Sequence, residues 1–311
     1  MDKVSKTVID LKKNHDALMR KKKMLLIINP VAGKGKANET LLKLVTYFSA
    51  FDYTVTVYPT KSKEKTIKYI SANAYKYGVV VCCGGDGTFS QVVNALTTYD
   101  DPPKLGFVPL GSTNDIARTY GIPLDPLECA KMIVKSKAEK FDVGLFNLKP
   151  FAYVAAAGAF ANVSYSTSRE LKNRVGHLAY ILSAIKEVPN IKPIRMRIEF
   201  DGKIIEDDFI YVSFSNTSSI GGVLNVNNVN TSDGLFELTL VKAPNGLLDT
   251  AEIIHRAVSS DFSAGMIRIF HTSSAVVRSK EELCWSLDGE EGGSCKKANF
   301  RIINKAINLI R

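Results

Sequence analysis

The sequence predicts two domains: an α/β domain built on a parallel sheet, followed by a β-rich sandwich. Three observations carry that expectation. From Met24 to about Lys140, short apolar runs alternate with segments of helical period, the pattern of a sheet covered on both faces. Beyond Lys140, short strand-like runs separated by turn pairs such as Asp201–Gly202 and Asp233–Gly234 dominate. A length of 311 residues suits two hydrophobic cores better than one.

The elements follow in order. Met24–Ile28 reads as a buried strand entering the polar glycine loop Asn29–Lys36, and Asn38–Ala50 as a helix with Leu41, Leu42, Val45 and Phe48 on its apolar face. Tyr53–Tyr58 is a strand ending at Pro59–Thr60, Lys63–Tyr77 a helix, and Val79–Cys83 a fully buried strand. Ser90–Leu96 is expected to be helical, Lys104–Val108 a fourth strand, and Asp115–Thr119 the start of another helix. In the second half, Phe141–Phe146, Ala152–Ala157, Ile194–Phe200, Lys203–Asp208, Phe209–Phe214, Phe236–Val241, Ile267–Thr272, Ala275–Arg278, Leu283–Leu287 and Asn299–Ile303 read as strands. Two helices interrupt them: Arg169–Lys186, and Gly246–Val258 with Leu247, Leu248, Ile253 and Ile254 apolar. The expected divisions are a basic extension over 1–23, a nucleotide-binding domain over 24–142 and a substrate domain over 143–311.

Composition narrows the class. The chain is 45% hydrophobic and 23% charged, as globular proteins are, and no run of 18 apolar residues is present to span a bilayer as a helix. The start, Met1–Lys6, lacks the apolar core of a signal peptide, so a cytoplasmic location is expected. Five cysteines at irregular spacing fit neither a disulfide framework nor a zinc site. About half of the net charge of +10 lies in the first 23 residues, where Lys3, Lys6, Lys12, Lys13, Arg20, Lys21, Lys22 and Lys23 face three aspartates. That segment reads either as a solvated tail or as an amphipathic helix over Val4–Met19 drawn to an anionic membrane surface. No nucleic-acid-binding motif accompanies the charge.

Four polar clusters fall at expected strand ends or turns: Asn29–Pro30–Val31–Ala32–Gly33; Gly84–Gly85–Asp86–Gly87–Thr88; Pro109–Leu110–Gly111–Ser112–Thr113–Asn114–Asp115; and Leu287–Asp288–Gly289–Glu290. Glycines free the backbone to approach a ligand closely, and successive N–H groups entering a helix converge on phosphate oxygens. The Gly84–Thr88 turn is therefore either a phosphate cradle or a tight turn with a capping aspartate. Asp115 has its own packing alternative as a helix cap, and Asp288–Gly293 as a solvated hairpin.

In this order, the four clusters resemble the diacylglycerol kinase catalytic family, which also contains sphingosine and ceramide kinases. The resemblance runs from about Met24 to the C-terminus. It implies an N-terminal domain like those of NAD kinase and phosphofructokinase, and an ATP- and Mg²⁺-dependent kinase of a lipid alcohol such as diacylglycerol. It implies nucleotide contacts at Asn29, Pro30, Val31, Ala32, Gly33 and Thr60, and along Gly84, Gly85, Asp86, Gly87, Thr88, Phe89, Ser90 and Gln91, then at Ser112, Asn114 and Asp115. Lys34 is either a lysine placed by sequence to meet phosphate charge or an exposed loop lysine that is merely solvated. Ser112 stands where the family usually has Thr, keeping the hydroxyl.

The resemblance further implies catalytic roles for Glu290, Asp86 and Asp288, with Glu290 as the base; the neighbouring Glu291 would point away if this stretch is extended, because successive side chains alternate. Asp86 and Asp115 would organise magnesium, and Asp142 would help hold their network. Asn230, Asp233 and Leu235 match a structural metal loop, although Ser232 replaces an aspartate common in relatives. The runs Ala152–Gly158 with Phe160, and Gly221–Leu224, are either the lining of an acyl cleft or simple core. A transient membrane encounter is expected, because the acceptor would lie in the bilayer and a basic surface would steer the chain to anionic lipid; many members of the family are homodimers. The alternatives are a kinase of a soluble hydroxyl such as that of NAD, and a nucleotide-binding regulator without catalysis; retention of Glu290 argues against the latter.

Overall fold

The computed structural model describes residues 20–35, 37–112, 114–158, 192–217, 219–220, 224–225, 230–259, 262 and 265–311. The expected helices over 4–19 and 169–186, together with Phe160 and 221–223, lie outside them. The chain divides into two compact units. One runs to Lys140 and regains Ile307–Arg311; the other is Phe141–Ala306.

In the first unit, β1 (Lys23–Ile28) pairs in parallel with β2 (Thr54–Pro59) and with β3 (Val79–Gly84), and β3 with β4 (Lys104–Pro109). The order β2-β1-β3-β4 reverses direction between β1 and β3. All four strands end on one edge, and such a switch point is where open α/β sheets leave a crevice. Helices α1 (Ala37–Ala50), α2 (Lys63–Asn73), α3 (Asp86–Leu96), α4 (Asp115–Thr119) and α5 (Pro126–Lys135) complete the unit. Four consecutive residues of β3, Val80–Cys83, are fully buried, as a central parallel strand requires.

Several elements differ from expectation. Helix α1 buries Ala37, Leu44 and Phe48, while Leu42 is 70% exposed. α3 starts at Asp86, inside the glycine turn, rather than at Ser90. α5 was not expected, although Asp125 caps it: its Oδ1 accepts from Leu127 N at 2.9 Å and Glu128 N at 3.0 Å, with Pro126 opening the helix. The last strand returns to the first unit, where Leu309 pairs in parallel with Leu105 and Ile307, Leu309 and Ile310 are buried.

The second unit is β-rich. It contains β5 (Ala138–Phe146) from Phe141 onward, β6 (Lys149–Phe151), β7 (Val154–Gly158), β8 (Ile194–Phe200), β9 (Lys203–Ser215), the short β10 (Ser219–Ile220) and β11 (Leu224–Asn225), β12 (Phe236–Lys242), α6 (Leu247–Ser259), β13 (Ile267–Thr272), β14 (Ser274–Leu287) and most of β15 (Glu290–Ile310). β9 pairs with β8 through its first half and with β7 and β12 through its second. β14 likewise serves β8 and then β7, so two long strands wrap one core. That core holds Met196, Ile198, Phe214, Phe236, Leu238, Trp285 and Phe300, with Phe214 stacked on Phe300 at 3.7 Å between centroids. In α6, Ile253 is buried, but Leu247 and Leu248 are 86% and 88% exposed, contrary to the expected apolar face.

Candidate functional site

In the first unit the expected nucleotide loops converge on one edge of the sheet. After β1, Asn29 N donates to Cys83 O at 2.9 Å, tying the first loop to the end of β3. Asn29 Oδ1 accepts from Val31 N at 3.1 Å, and Asn29 Nδ2 reaches Thr88 Oγ1 at 3.5 Å. Gly33, at φ +66°, donates its N–H to Leu110 O at 2.9 Å, joining the first and third clusters. At the end of β2, Thr60 N donates to Ile28 O at 2.8 Å.

The second and third clusters touch backbone to backbone. A Cβ on Gly111 would lie 2.7 Å from Gly85 Cα and 2.8 Å from Asn114 Oδ1, so only glycine admits this approach. Asn114, in the left-handed region at φ +54°, closes its loop: Oδ1 accepts from Gly111 N and Nδ2 donates to Gly111 O, both at 3.0 Å. Gly85 precedes α3, whose first turn therefore presents N–H groups unmatched within the helix at Asp86–Thr88. Gly111→Ala is expected to force the two loops apart. Overpacking of this kind costs about 1–3 kcal/mol, and denaturant melts should show a loss of stability of that size.

Asp86 spans these loops. Its Oδ1 accepts from Ile116 N at 3.2 Å, and the N–H groups of Asp115 and Asn114 also face the carboxylate. Burial pushes the Asp86 carboxyl above the usual range, and those three backbone donors, together with its own N–H, pull against it. Asp86, thirty positions away, thus caps α4. Asp115 is not the N-cap: that position belongs to Asn114, and Asp115 is the first helical residue, buried at 6% exposure. The Phe89 ring is fully buried against Phe107, with centroids 4.8 Å apart. Pro30, Val31 and Ser112 are exposed, Ala32, Gly87, Ser90 and Gln91 are half-buried, and Gly84 and Thr88 are buried. The Lys34 side chain and Thr113 lie outside the described residues.

In the second unit, β14 and β15 form a hairpin with Leu287 opposite Glu290 and a two-residue turn, Asp288–Gly289, at φ +52° and +78°. Two positive φ values at such a turn match the twist of the flanking strands. Glu290 opens β15 half-buried, and its neighbour Glu291 is exposed. Asp288, expected among the catalytic carboxylates, has both oxygens engaged by the backbone. Oδ2 accepts from Ala152 N at 2.7 Å, and Oδ1 from Tyr153 N at 3.0 Å and Val154 N at 3.1 Å.

The expected metal loop is held from below by Asp142, which is fully buried. Asp142 Oδ2 accepts from Gly234 N at 2.6 Å and Oδ1 from Lys305 N at 2.5 Å, while Asp142 N donates to Thr231 O at 2.8 Å. Burial raises its carboxyl, and the Lys305 and Gly234 N–H groups oppose that rise. Within the loop, Asp233 Oδ1 accepts from Leu235 N at 3.0 Å and Asn230 Oδ1 from Ser232 N at 3.2 Å. Among the described residues, no three His, Cys, Asp or Glu side chains converge to cage a metal. One exposed carboxylate with carbonyl oxygens beside it is a donor set suited to a hard cation that keeps several waters, as Mg²⁺ does. Sequence reasoning passed over Glu237, two residues beyond this loop: it is 3% exposed, and Oε2 has no hydrogen-bond partner among the described residues.

Comparison with known proteins defines the class. Residues 23–146 match the diacylglycerol kinase catalytic domain, and residues 153–311 match the YegS C-terminal NAD kinase beta sandwich-like domain. The pairing is that of a lipid kinase. A diacylglycerol kinase of Staphylococcus aureus (strain bovine RF122 / ET3-1) is 30% identical over 292 residues, covering 93% of this chain and 92% of the relative. One of Bacillus subtilis (strain 168) is 29% identical over 276 residues, covering 88% and 91%. A crystal structure from Bacillus anthracis str. Sterne superposes with a TM-score of 0.80 at 26% identity, covering 94% of this chain and 95% of that one. The chain belongs to the diacylglycerol kinase family.

Proposed function

We propose that the protein transfers the γ-phosphoryl group of ATP, with Mg²⁺, to the primary hydroxyl of diacylglycerol or a similar lipid alcohol, giving phosphatidic acid or its analogue. The observation that carries this reading is the family's acid–glycine–acid turn. Here it is a pinned hairpin that presents Glu290 half-buried at the head of β15. Glu290 accepts the hydroxyl proton as the alcohol oxygen bonds to the γ-phosphorus; the bond from phosphorus to the β–γ bridging oxygen breaks, and ADP leaves with that electron pair.

The residues of the first unit fit the donor's phosphates: main-chain N–H groups open α3, and no Cβ stands between Gly85 and Gly111. Asn29–Gly33, Thr60, Gly84–Thr88, Ser112 and Asn114 are assigned to nucleotide binding. Asp86 and Asp115 are assigned to organising the cation, and Asn230, Asp233 and Leu235 to the loop ion. Mg²⁺ supplies neutralisation of phosphate charge. Asp288 and Asp142 are assigned to holding backbone rather than to proton transfer. No helix among the described residues is long and apolar enough to cross a membrane. The acceptor is therefore proposed to be reached from the bilayer surface, with the basic extension over 1–23 as an attraction to anionic lipid.

A panel assay tests the reading. Purified full-length chain, Mg²⁺ and γ-labelled ATP are incubated with diacylglycerol, ceramide, sphingosine or a monoacylglycerol in mixed micelles, and with NAD in a parallel tube. Label is expected in the organic phase from a glycerolipid alcohol. Label confined to the aqueous phase with NAD, or transferred to no acceptor, would defeat it.

A further inference from the structure

The hairpin that carries Glu290 is anchored in a way its turn geometry does not require. A two-residue turn with both φ values positive accepts Asn-Gly, Asp-Gly or Gly-Gly, so the turn alone gives no reason for a carboxylate. Hairpin tips are also ordinarily exposed and among the first parts of a fold to open. Here the tip residue is 7% exposed, and three successive N–H groups, from Ala152, Tyr153 and Val154, converge on its carboxylate at 2.7, 3.0 and 3.1 Å. Asp288 N also donates to Val154 O at 2.8 Å, extending the β7–β14 pairing to the turn itself. A row of consecutive backbone donors is an anion nest, filled here by a side chain of the same chain.

We propose that Asp288 is the positioning residue for Glu290, fixing the base through the nest at 152–154. The link is short and covalent. Asp288 is locked to the lead-in of β7, Gly289 supplies the second positive φ, and Glu290 follows as the first residue of β15, opposite Leu287. Neutral asparagine keeps the turn but offers one acceptor oxygen where three donors need two, so the tip is released while the strands stay paired. A general base must meet its proton within hydrogen-bond reach, and an ångström of looseness at the tip removes that alignment.

The inference rests on the assignment of Glu290 as the base, and the test separates the two. Asp288→Asn is compared with wild type in the lipid kinase assay, alone and combined with Glu290→Asp, whose shortened carboxylate is already out of place. Asp288→Gly, which takes positive φ without strain, replaces it if the asparagine variant does not fold. The expected result is a fall in kcat of about 10- to 100-fold with the KM for ATP within about twofold, and less than about a threefold further loss in the Glu290→Asp background. Wild-type kcat in Asp288→Asn, or an equal loss in both backgrounds, would overturn the positioning role. Wild-type turnover in both Glu290→Asp and Glu290→Gln would instead remove the base assignment on which it rests.

Discussion

Glu290→Gln is expected to lower kcat for lipid phosphorylation by about 10²- to 10⁴-fold, the range in which a positioned base contributes, with nucleotide affinity within about twofold of wild type. The substitution keeps the length and shape of the side chain and removes only its capacity to take a proton. Glu290 belongs to the β14–β15 hairpin and the loops proposed to bind nucleotide belong to the first unit, so nucleotide affinity serves as the internal control. Steady-state kinetics with saturating lipid and a separate titration with a non-hydrolysable nucleotide would measure the two quantities independently. A parallel fall in both would point to a folding defect, and unchanged turnover would send the search for the base elsewhere. Asp86→Asn offers the contrasting pattern. Asp86 Oδ1 holds Ile116 N across the glycine loops, so that variant should weaken nucleotide binding together with turnover.

Which features were legible in the sequence follows from how far apart their causes lie. The strands of the first unit were readable because burial on both faces leaves continuous apolar runs such as Val79–Cys83. Lys203–Asp208 and Phe209–Phe214 looked like two strands because the pattern changes at Phe209. Before it, residues alternate between exposed and half-buried; after it, both faces are covered and every residue is buried, yet the backbone is one strand. In α1, Leu41, Leu42, Leu44 and Val45 offer competing apolar stripes, and packing chose the one through Ala37, Leu44 and Phe48. Asp86 capping α4 could not be read locally, since donor and acceptor are thirty positions apart. Asp288 shows the same limit: its type and place in the motif were visible, but the three N–H groups that occupy its oxygens come from about 135 positions earlier.

Glu237 leads to the second large effect, on stability rather than turnover. Burial pushes its carboxyl from the ordinary 4.5 up to about 8, with the charge of Asp233 adding to the rise, while its Oε2 has no hydrogen-bond partner among the described residues. In the unfolded chain the group ionises near its ordinary value, so between those two pH values the native state holds a proton that the unfolded state has released. Stability associated with Glu237 is therefore fully present below about pH 4.5 and is lost as pH rises through about 8. Each pH unit inside the window is worth about 1.4 kcal/mol, so the whole interval amounts to several kcal/mol, about 4–5 at most. Glu237→Gln cannot ionise, and its unfolding free energy should lose this slope. Denaturant melts of both proteins at pH 5, 6, 7 and 8, with EDTA to keep cations from Asp233, should show the variant gaining on wild type by several kcal/mol across the series. The offset at pH 5 reports how well the amide fits; only the slope tests the buried proton, and parallel curves would mean that Glu237 ionises as freely in the folded protein as in the unfolded chain.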